Sequence, residues 1–410
     1  MNVSLEDVRV WDAADPLRGF RDRFVLPEGV IYLDGNSLGA LPAATGERVK
    51  AAVATEWGEG LIRSWNAHDW IGAPARVGAK IARLIGAAPH EVVVADSTSV
   101  NLFKLIAAAV PGQGDRNLIL AEPGNFPTDL YIAQGAADLL GATLRVLPID
   151  QLVAAIDQDV ALVLLTHVHY KSGAKHDMAA ITRRAHAVGA LVLWDLSHSA
   201  GAVEVDLNGV GADMAVGCGY KYLNGGPGAP ALLFVAERHQ RALQSPLTGW
   251  MGHAAPFQFV DDYQPADGIE RFLCGTPSVL AMLALEVGVD QFDGAEMAAV
   301  GAKAQRLCSL FIELVEVRCA GFGLTLATPR DPSARGSHVS FSHPDAYPIM
   351  QALIERGVIG DFRDPDILRC GLTPLYVGFE DVWRAVEILH DVLASAAWRA
   401  ERFQTRSRVT

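Results

Sequence analysis

Between Glu91 and Val235 the chain repeats one pattern, a short run of β-branched and aliphatic residues followed by a stretch with apolar positions at helical spacing. The runs are VVVAD, NLILAEP, TLRVLP, VALVLLTHV and LVLWDLS, then MAVGCG and APALLFVA. Runs this uniformly apolar suit strands buried on both faces, and their alternation with helices predicts an α/β domain around a largely parallel sheet. One helix is legible in detail: Asp177 supplies an N-cap, Met178, Ile181, Ala185 and Val188 recur at helical spacing, and Gly189 supplies the stop. From about Asp290 the pattern becomes a long helix (GAEMAAVGAKAQRLCSLFIELVEVR), short strands around LTLAT and HVSFSH, and a final helix near EDVWRAVEILHDVLASAAW. That reads as a smaller α+β domain. The beginning of the chain holds helical pieces and the turn-rich IYLDGNSLGALP, where Asp34-Gly35-Asn36 enforces a tight bend. The expected division is an arm at 1–60 that packs on the small domain or on a partner, a large ligand-binding domain at 61–290 and a small domain at 291–410.

Composition narrows the function classes. A net charge of −13 disfavours a binder of nucleic-acid phosphates. The 5 cysteines are dispersed, odd in number and without C-x-x-C spacing, which argues against a disulfide framework or a structural zinc site. MNVSLEDVRVWDAADP lacks the basic start and apolar centre of a signal peptide, and no apolar run approaches the ~18 residues of a membrane span. The expected location is the cytoplasm, with neither nucleic acid nor membrane as partner.

The chemistry concentrates in LVLWDLSHSAG and, after another strand, GCGYKYLNGGPGAP. A strand ending in Asp195 delivers a carboxylate to the carboxyl edge of the sheet, where open α/β folds bind ligands. Lys221 follows in a glycine-rich loop with flanking aromatics, and His198 lies beside the strand end. Pyridoxal 5'-phosphate requires this pair, a lysine to bond its aldehyde carbon and an acid to keep its ring nitrogen protonated. Lys50, Lys80, Lys104, Lys171, Lys175 and Lys303 occur in helix-like or exposed polar contexts, where a solvated charge is expected. Asp96-Ser97-Thr98-Ser99-Val100-Asn101 follows a strand and opens an apolar helix, a suitable cradle for a phosphate, although hydroxyl-rich caps occur on many helices. Phe126, in EPGNFPTDLY, is placed to stack on a cofactor ring or to fill the core.

Competing readings are fewer. Thr166-His167-Val168-His169 puts two imidazoles on one strand face, where His198 would complete a metal site, but no acidic ligand follows at a recognisable spacing and HExxH is absent. No metal is expected. Neither GxGxxG nor GxxxxGK[ST] follows a strand, which disfavours dinucleotide-binding and P-loop functions.

WDLSHSAG and GYKYLNGGPG, together with FPTD, GNSLG, LTGWMGH, GSHVSF and RGVIGDFR, resemble the kynureninase family of fold-type-I pyridoxal phosphate enzymes, from about Tyr32 to the last helix. The resemblance implies a large domain with a mainly parallel seven-stranded sheet, a smaller α+β C-terminal domain and a homodimer. It implies that Lys221 bonds the cofactor, Asp195 pairs with the ring nitrogen, His198 lies beside the ring and Phe126 stacks on it. Thr98, Ser99, Tyr220 and Trp250 would reach the phosphate, with Thr276 supplied across the dimer interface. Pro127, Thr128, Asp129 and Thr166 match the remaining cofactor-contact positions, and Arg369 matches the arginine that binds the substrate α-carboxylate. Met251 stands where the family is expected to carry phenylalanine, which bears on the shape of the aryl pocket. The implied reaction is hydrolytic cleavage of L-kynurenine, alone or together with its 3-hydroxy form, to anthranilate and L-alanine in tryptophan catabolism. Lys221 would move the Cα proton, and Tyr220 is the candidate acid/base at the ketone. The alternatives are a cysteine desulfurase, with Cys370 as the nucleophile to test, an aminotransferase, or a non-catalytic binding protein on the same scaffold.

Overall fold

All seven apolar runs are strands: β1 Val92–Ala95, β2 Leu118–Ala121, β3 Thr143–Val146, β4 Val160–Thr166, β5 Leu191–Asp195, β6 Met214–Gly217 and β7 Ala231–Val235. They form one sheet in the order β1-β7-β6-β5-β4-β2-β3. Only β7 runs against its neighbours β1 and β6, and the other pairs are parallel. Helices cover both faces of a parallel sheet, so every residue of β1, β2, β4, β5, β6 and β7 is buried, while edge strand β3 is largely open to solvent. The register sets Thr166 opposite Asp195, so β4 and β5 bring these two side chains to the same carboxyl edge. The computed structural model describes residues 3–406, so the ends of the arm and small-domain spans, 1–2 and 407–410, lie outside the described residues.

The helix after β4 runs Met178–His186, with the Asp177 side chain accepting the Ala180 N–H at 2.9 Å. Val188 falls beyond it. The chain leaves the helix through Gly189 at φ 79°, while the Ala190 N–H reaches back to the Ala185 carbonyl at 3.0 Å. A left-handed residue followed by that long backward bond is how glycine closes a helix.

A second, antiparallel sheet has the order β8 (Thr325–Leu326), β9 (His338–Ser342), β11 (Ile367–Gly371) and β10 (Asp361–Arg363). The helices Met297–Arg318, Ala346–Glu355 and Phe379–Ala394 accompany it. The sequence reading found the first and last of these helices and missed Ala346–Glu355, β10 and β11. Strand β11 is buried on both faces yet carries Arg369, so it shows neither clean alternation nor an unbroken apolar run.

The arm ties these parts together. Its helix Leu5–Ala13 lies on Phe379–Ala394, where the Asp12 carboxylate accepts the N–H groups of Phe379 and Glu380 at 2.7 and 2.8 Å, capping that helix. Further along, Asp34 bridges to Gly371, and the Gly39 N–H donates to the Tyr220 carbonyl at 2.8 Å. A Cβ at Gly39 would stand 2.4 Å from the Lys221 carbonyl oxygen, so only glycine lets the arm approach this closely. Among the described residues, no helix is long and apolar enough to cross a membrane.

Candidate active site

Lys221 lies just after β6 and is only 9% exposed. Its Nζ is 3.0 Å from His198 Nε2, 5.6 Å from the centroid of Phe126 and 5.9 Å from that of Tyr220. Burial, and next the charge of Lys221, push His198 well below the ordinary imidazole range, so the ring is neutral and accepts from the lysine. Phe126 is the opposite kind of neighbour: its ring is 39% exposed and meets Tyr170 edge-on at 5.4 Å. Asp195 is buried at the end of β5, where its carboxylate accepts the Ser197 N–H at 2.7 Å. Asp129 sits next to it. Burial and then the Asp195 charge raise the Asp129 carboxyl well above its usual range.

The helix Thr98–Ala109 starts at this same edge, after β1, with the Ser97 hydroxyl accepting the Val100 N–H at 3.4 Å. Helix geometry leaves the first-turn N–H groups of Thr98 and Ser99 without intrahelical acceptors. Asp96, at φ 47°, turns the chain into the helix, and its carboxylate is paired with Lys104. Lys104 corrects an expectation, because it is fully buried rather than solvated, and donates to both Asp96 and the Phe272 carbonyl, the latter at 2.7 Å. Lys303 is likewise buried, 2.6 Å from Asp15. Each of these buried amines lies against a carboxylate.

Pro127 opens the helix Pro127–Leu140 and Thr128 continues it, which places Asp129 in its first turn. Thr166 donates to the Asn125 side-chain oxygen and lies 3.5 Å from Asp129. Asn125 was missed by sequence reasoning. It is buried, its oxygen also accepts the Phe126 N–H at 2.8 Å, and among the described residues its amide nitrogen has no partner. His198 Nδ1 is unpartnered in the same sense. Buried polar atoms left open around a lysine and a bared aromatic face, beside a helix start, are what a flat, polar, phosphorylated ring would fill, so the residues fit pyridoxal phosphate.

Arg369 is buried in a corner of its own. Its Nε donates to Asp361 at 2.8 Å and its Nη2 to Ser37 at 2.9 Å, with further bonds to Asp361 and to the Tyr170 carbonyl. Burial opposes ionisation of Asp361, yet the Arg369 guanidinium, by charge and hydrogen bond, holds its carboxyl below the usual range. Asp34 goes the other way, raised to about 8 by burial and then by the Asp361 charge. Ser37, Asp361 and Arg363 are further site residues that sequence reasoning missed. Their only signal was their presence in GNSLG and RGVIGDFR.

Not every expected residue is drawn in. Trp250 is half-buried beside Phe257 at 5.6 Å and Thr276 is exposed in the loop before the helix Val279–Asp290. Among the described residues, neither makes a hydrogen bond or ring contact with the Lys221 group. The proposed metal trio is also divided. β4 ends at Thr166, so His167 and His169 do not share a strand face; His167 packs on Trp194, His169 on Tyr170, and His198 on Lys221. Cys370 follows Arg369 in β11 and so points the other way, into an apolar cavity with Phe311, Phe341 and Leu389. Burial pushes its thiol up, which removes it as a nucleophile for this pocket.

Residues 300–389 match the family described as kynureninase C-terminal domain. Proteins named kynureninase from Burkholderia mallei and Pseudomonas fluorescens are each 52% identical to this chain, over 99% of both chains for the first and 98% of this chain and 99% of the other for the second. Among solved structures, a cysteine desulfurase from Thermococcus onnurineus superposes with a TM-score of 0.77 at 20% identity, over 92% of this chain and 98% of that one. A C-DES variant with glycine covalently linked to its PLP cofactor gives 0.76 at 19% identity, over 90% of this chain and 99% of that one. At such identities these structures establish the shared fold alone.

Proposed function

The chain belongs to the kynureninase family, and from that premise we propose that the Lys221 pocket is its catalytic centre. The activity is pyridoxal phosphate-dependent hydrolysis of a carbon–carbon bond, the Cβ–Cγ bond of L-kynurenine, with anthranilate and L-alanine as products. The observation that carries the site assignment is the placement of Lys221 Nζ 3.0 Å from a neutral His198, facing the open ring of Phe126.

When bound, pyridoxal phosphate supplies the electron sink that allows Cα to lose its proton and the Cβ–Cγ bond to break. Lys221 would hold the cofactor through its Nζ, and the same Nζ, when not so engaged, is the base placed to take the proton from Cα. His198 steadies that nitrogen by accepting one of its hydrogens. Asp195 would hold the ring nitrogen protonated, with Asp129 beside it. Phe126 and His198 would confine the ring, and Thr98, Ser99 and Tyr220 would bind its phosphate. Pro127, Thr128 and Thr166 shape the wall beside them. Tyr220 acts at the ketone oxygen as water adds to Cγ. The neighbouring Cys218 thiol, then burial, raise its phenol above the ordinary range while Arg363 opposes, so the phenol keeps a proton to donate. Arg369 faces the substrate carboxylate.

Trp250 and Thr276 complete the site of a second copy. In support, Ile62 and Phe259 are each 76% exposed, and Trp57, Leu61, Phe257 and Val260 are also bare, as expected of surfaces covered in a homodimer. All 5 cysteines are free thiols, Cys218, Cys308, Cys319 and Cys370 buried and Cys274 partly exposed, in keeping with a cytoplasmic protein. Incubation of the cofactor-loaded protein with L-kynurenine, followed by anthranilate fluorescence, tests the function. Sustained anthranilate production with matching L-alanine is expected, and no product from fully loaded protein would overturn it.

A further inference from the structure

The carboxylate corner holds a second arginine whose Nη1 is unpartnered among the described residues. Arg363 and Asp361 are two apart in β10, so their side chains leave the same face, and Asp361 pairs with Arg369 in the neighbouring strand. Arg363 Nη2 donates to Ser37 at 3.0 Å and to Asp361 at 2.6 Å. Among the described residues its Nε and Nη1 have no partner, and the Nε is enclosed away from solvent. Arg369 is the reverse case, because its bonds to Asp361, Ser37 and Tyr170 leave a single N–H free. A carboxylate therefore finds one free N–H on Arg369 Nη1 and two on Arg363 Nη1, so that its two oxygens can be taken one by each arginine.

Charge and position agree with this. Two guanidiniums face one ionised carboxylate, Asp361, while Asp34 is held neutral by its raised pKa of about 8, so the corner has one uncompensated positive charge. An amino acid's carboxylate brings one negative charge. Arg363 is 31% exposed where Arg369 is 1% exposed, so it is the more accessible of the two guanidiniums.

We propose that Arg363 is a second substrate-binding residue, which receives the α-carboxylate jointly with Arg369 while Ser37 and Asp361 fix the two guanidiniums. The inference rests on the reading that this corner takes the substrate carboxylate. It is tested on the cofactor-loaded protein by equilibrium binding of L-alanine and of L-alaninamide, followed through the change in cofactor absorbance, so that no turnover is needed. Arg363→Gln is expected to weaken L-alanine about tenfold and L-alaninamide by less than about twofold. Arg363→Lys, which keeps the charge and guards against misfolding, is expected to lose about threefold on L-alanine only. Equal losses on both probes, or unchanged L-alanine binding in both variants, would overturn the proposal. Arg369→Lys run in parallel separates the two readings: L-alanine binding that responds to Arg369 but not to Arg363 refutes only the second arginine. No response to either refutes the corner itself.

Discussion

The Lys221 pocket takes its parts from the carboxyl ends of β1, β2, β4 and β5 and from the loop after β6. The Arg369 corner instead collects Ser37 from the arm, Tyr170 from the loop after β4, and Asp361, Arg363 and Arg369 from the small sheet. The pocket leaves polar atoms open, on Asn125 and His198, around a lysine and a bare aromatic ring. The corner closes most of its donors on internal partners and leaves the Arg363 Nη1 free. The difference teaches a division of labour. A site that exchanges protons needs unsatisfied atoms on a rigid frame, whereas a site that only holds a charge works best when its own cations are already fixed.

The strongest way to break this contrast is at the lysine. Lys221→Ala is expected to lower anthranilate production by at least about a thousandfold, with thermal unfolding nearly unchanged; activity within tenfold of wild type would remove Lys221 from the chemistry. Asp195→Asn should keep the cofactor, seen by absorbance, and lose about a hundredfold in turnover, because a neutral amide cannot hold the ring nitrogen protonated. Loss of the cofactor itself would make Asp195 a binding residue only. In the corner, Arg369→Lys is expected to raise KM about tenfold with kcat within about threefold. A collapse of kcat at constant KM would move Arg369 into the chemical step.

The gentlest perturbation, a change of pH, tests the corner's charge count. Asp34 has a folded pKa of about 8, above the ~3.9 of an unfolded aspartate, so the folded chain keeps a proton that the unfolded chain has released. Stability from this group is therefore full below the unfolded value and is lost as pH rises toward about 8, by up to about 1.4 kcal/mol per pH unit. Asp34→Asn lacks that proton equilibrium. Urea unfolding of the loaded protein at about pH 5 and pH 7 should show a larger loss for wild type than for the variant. Parallel losses would mean that Asp34 is ionised and the corner is electrically balanced.

The same contrast explains what the sequence could and could not reveal. The seven sheet strands, Asp195, His198 and Lys221 were legible because a doubly buried parallel strand is an unbroken apolar run, and a polar residue at its end stands out. Asn125 was not legible, since an asparagine before a phenylalanine in a turn has the look of ordinary loop chemistry, and only its unpartnered amide marks it. Ser37, Asp361 and Arg363 were hidden for another reason: they meet across more than 300 residues of chain, with Ser37 and Asp361 at a separation of 324, and no local spacing encodes that meeting. Lys104 misled because a lysine in an apolar helix reads as solvated until its carboxylate partner, Asp96, is brought against it by the fold.

The central claim is that the lysine between His198 and Phe126 is the one that carries the cofactor. Borohydride reduction of the cofactor-loaded protein, followed by peptide mapping, tests it most directly. A stable cofactor label is expected on the peptide containing Lys221, and none on the peptides of Lys104, Lys171 or Lys175. A label on any of those three, with Lys221 unmodified, would contradict it.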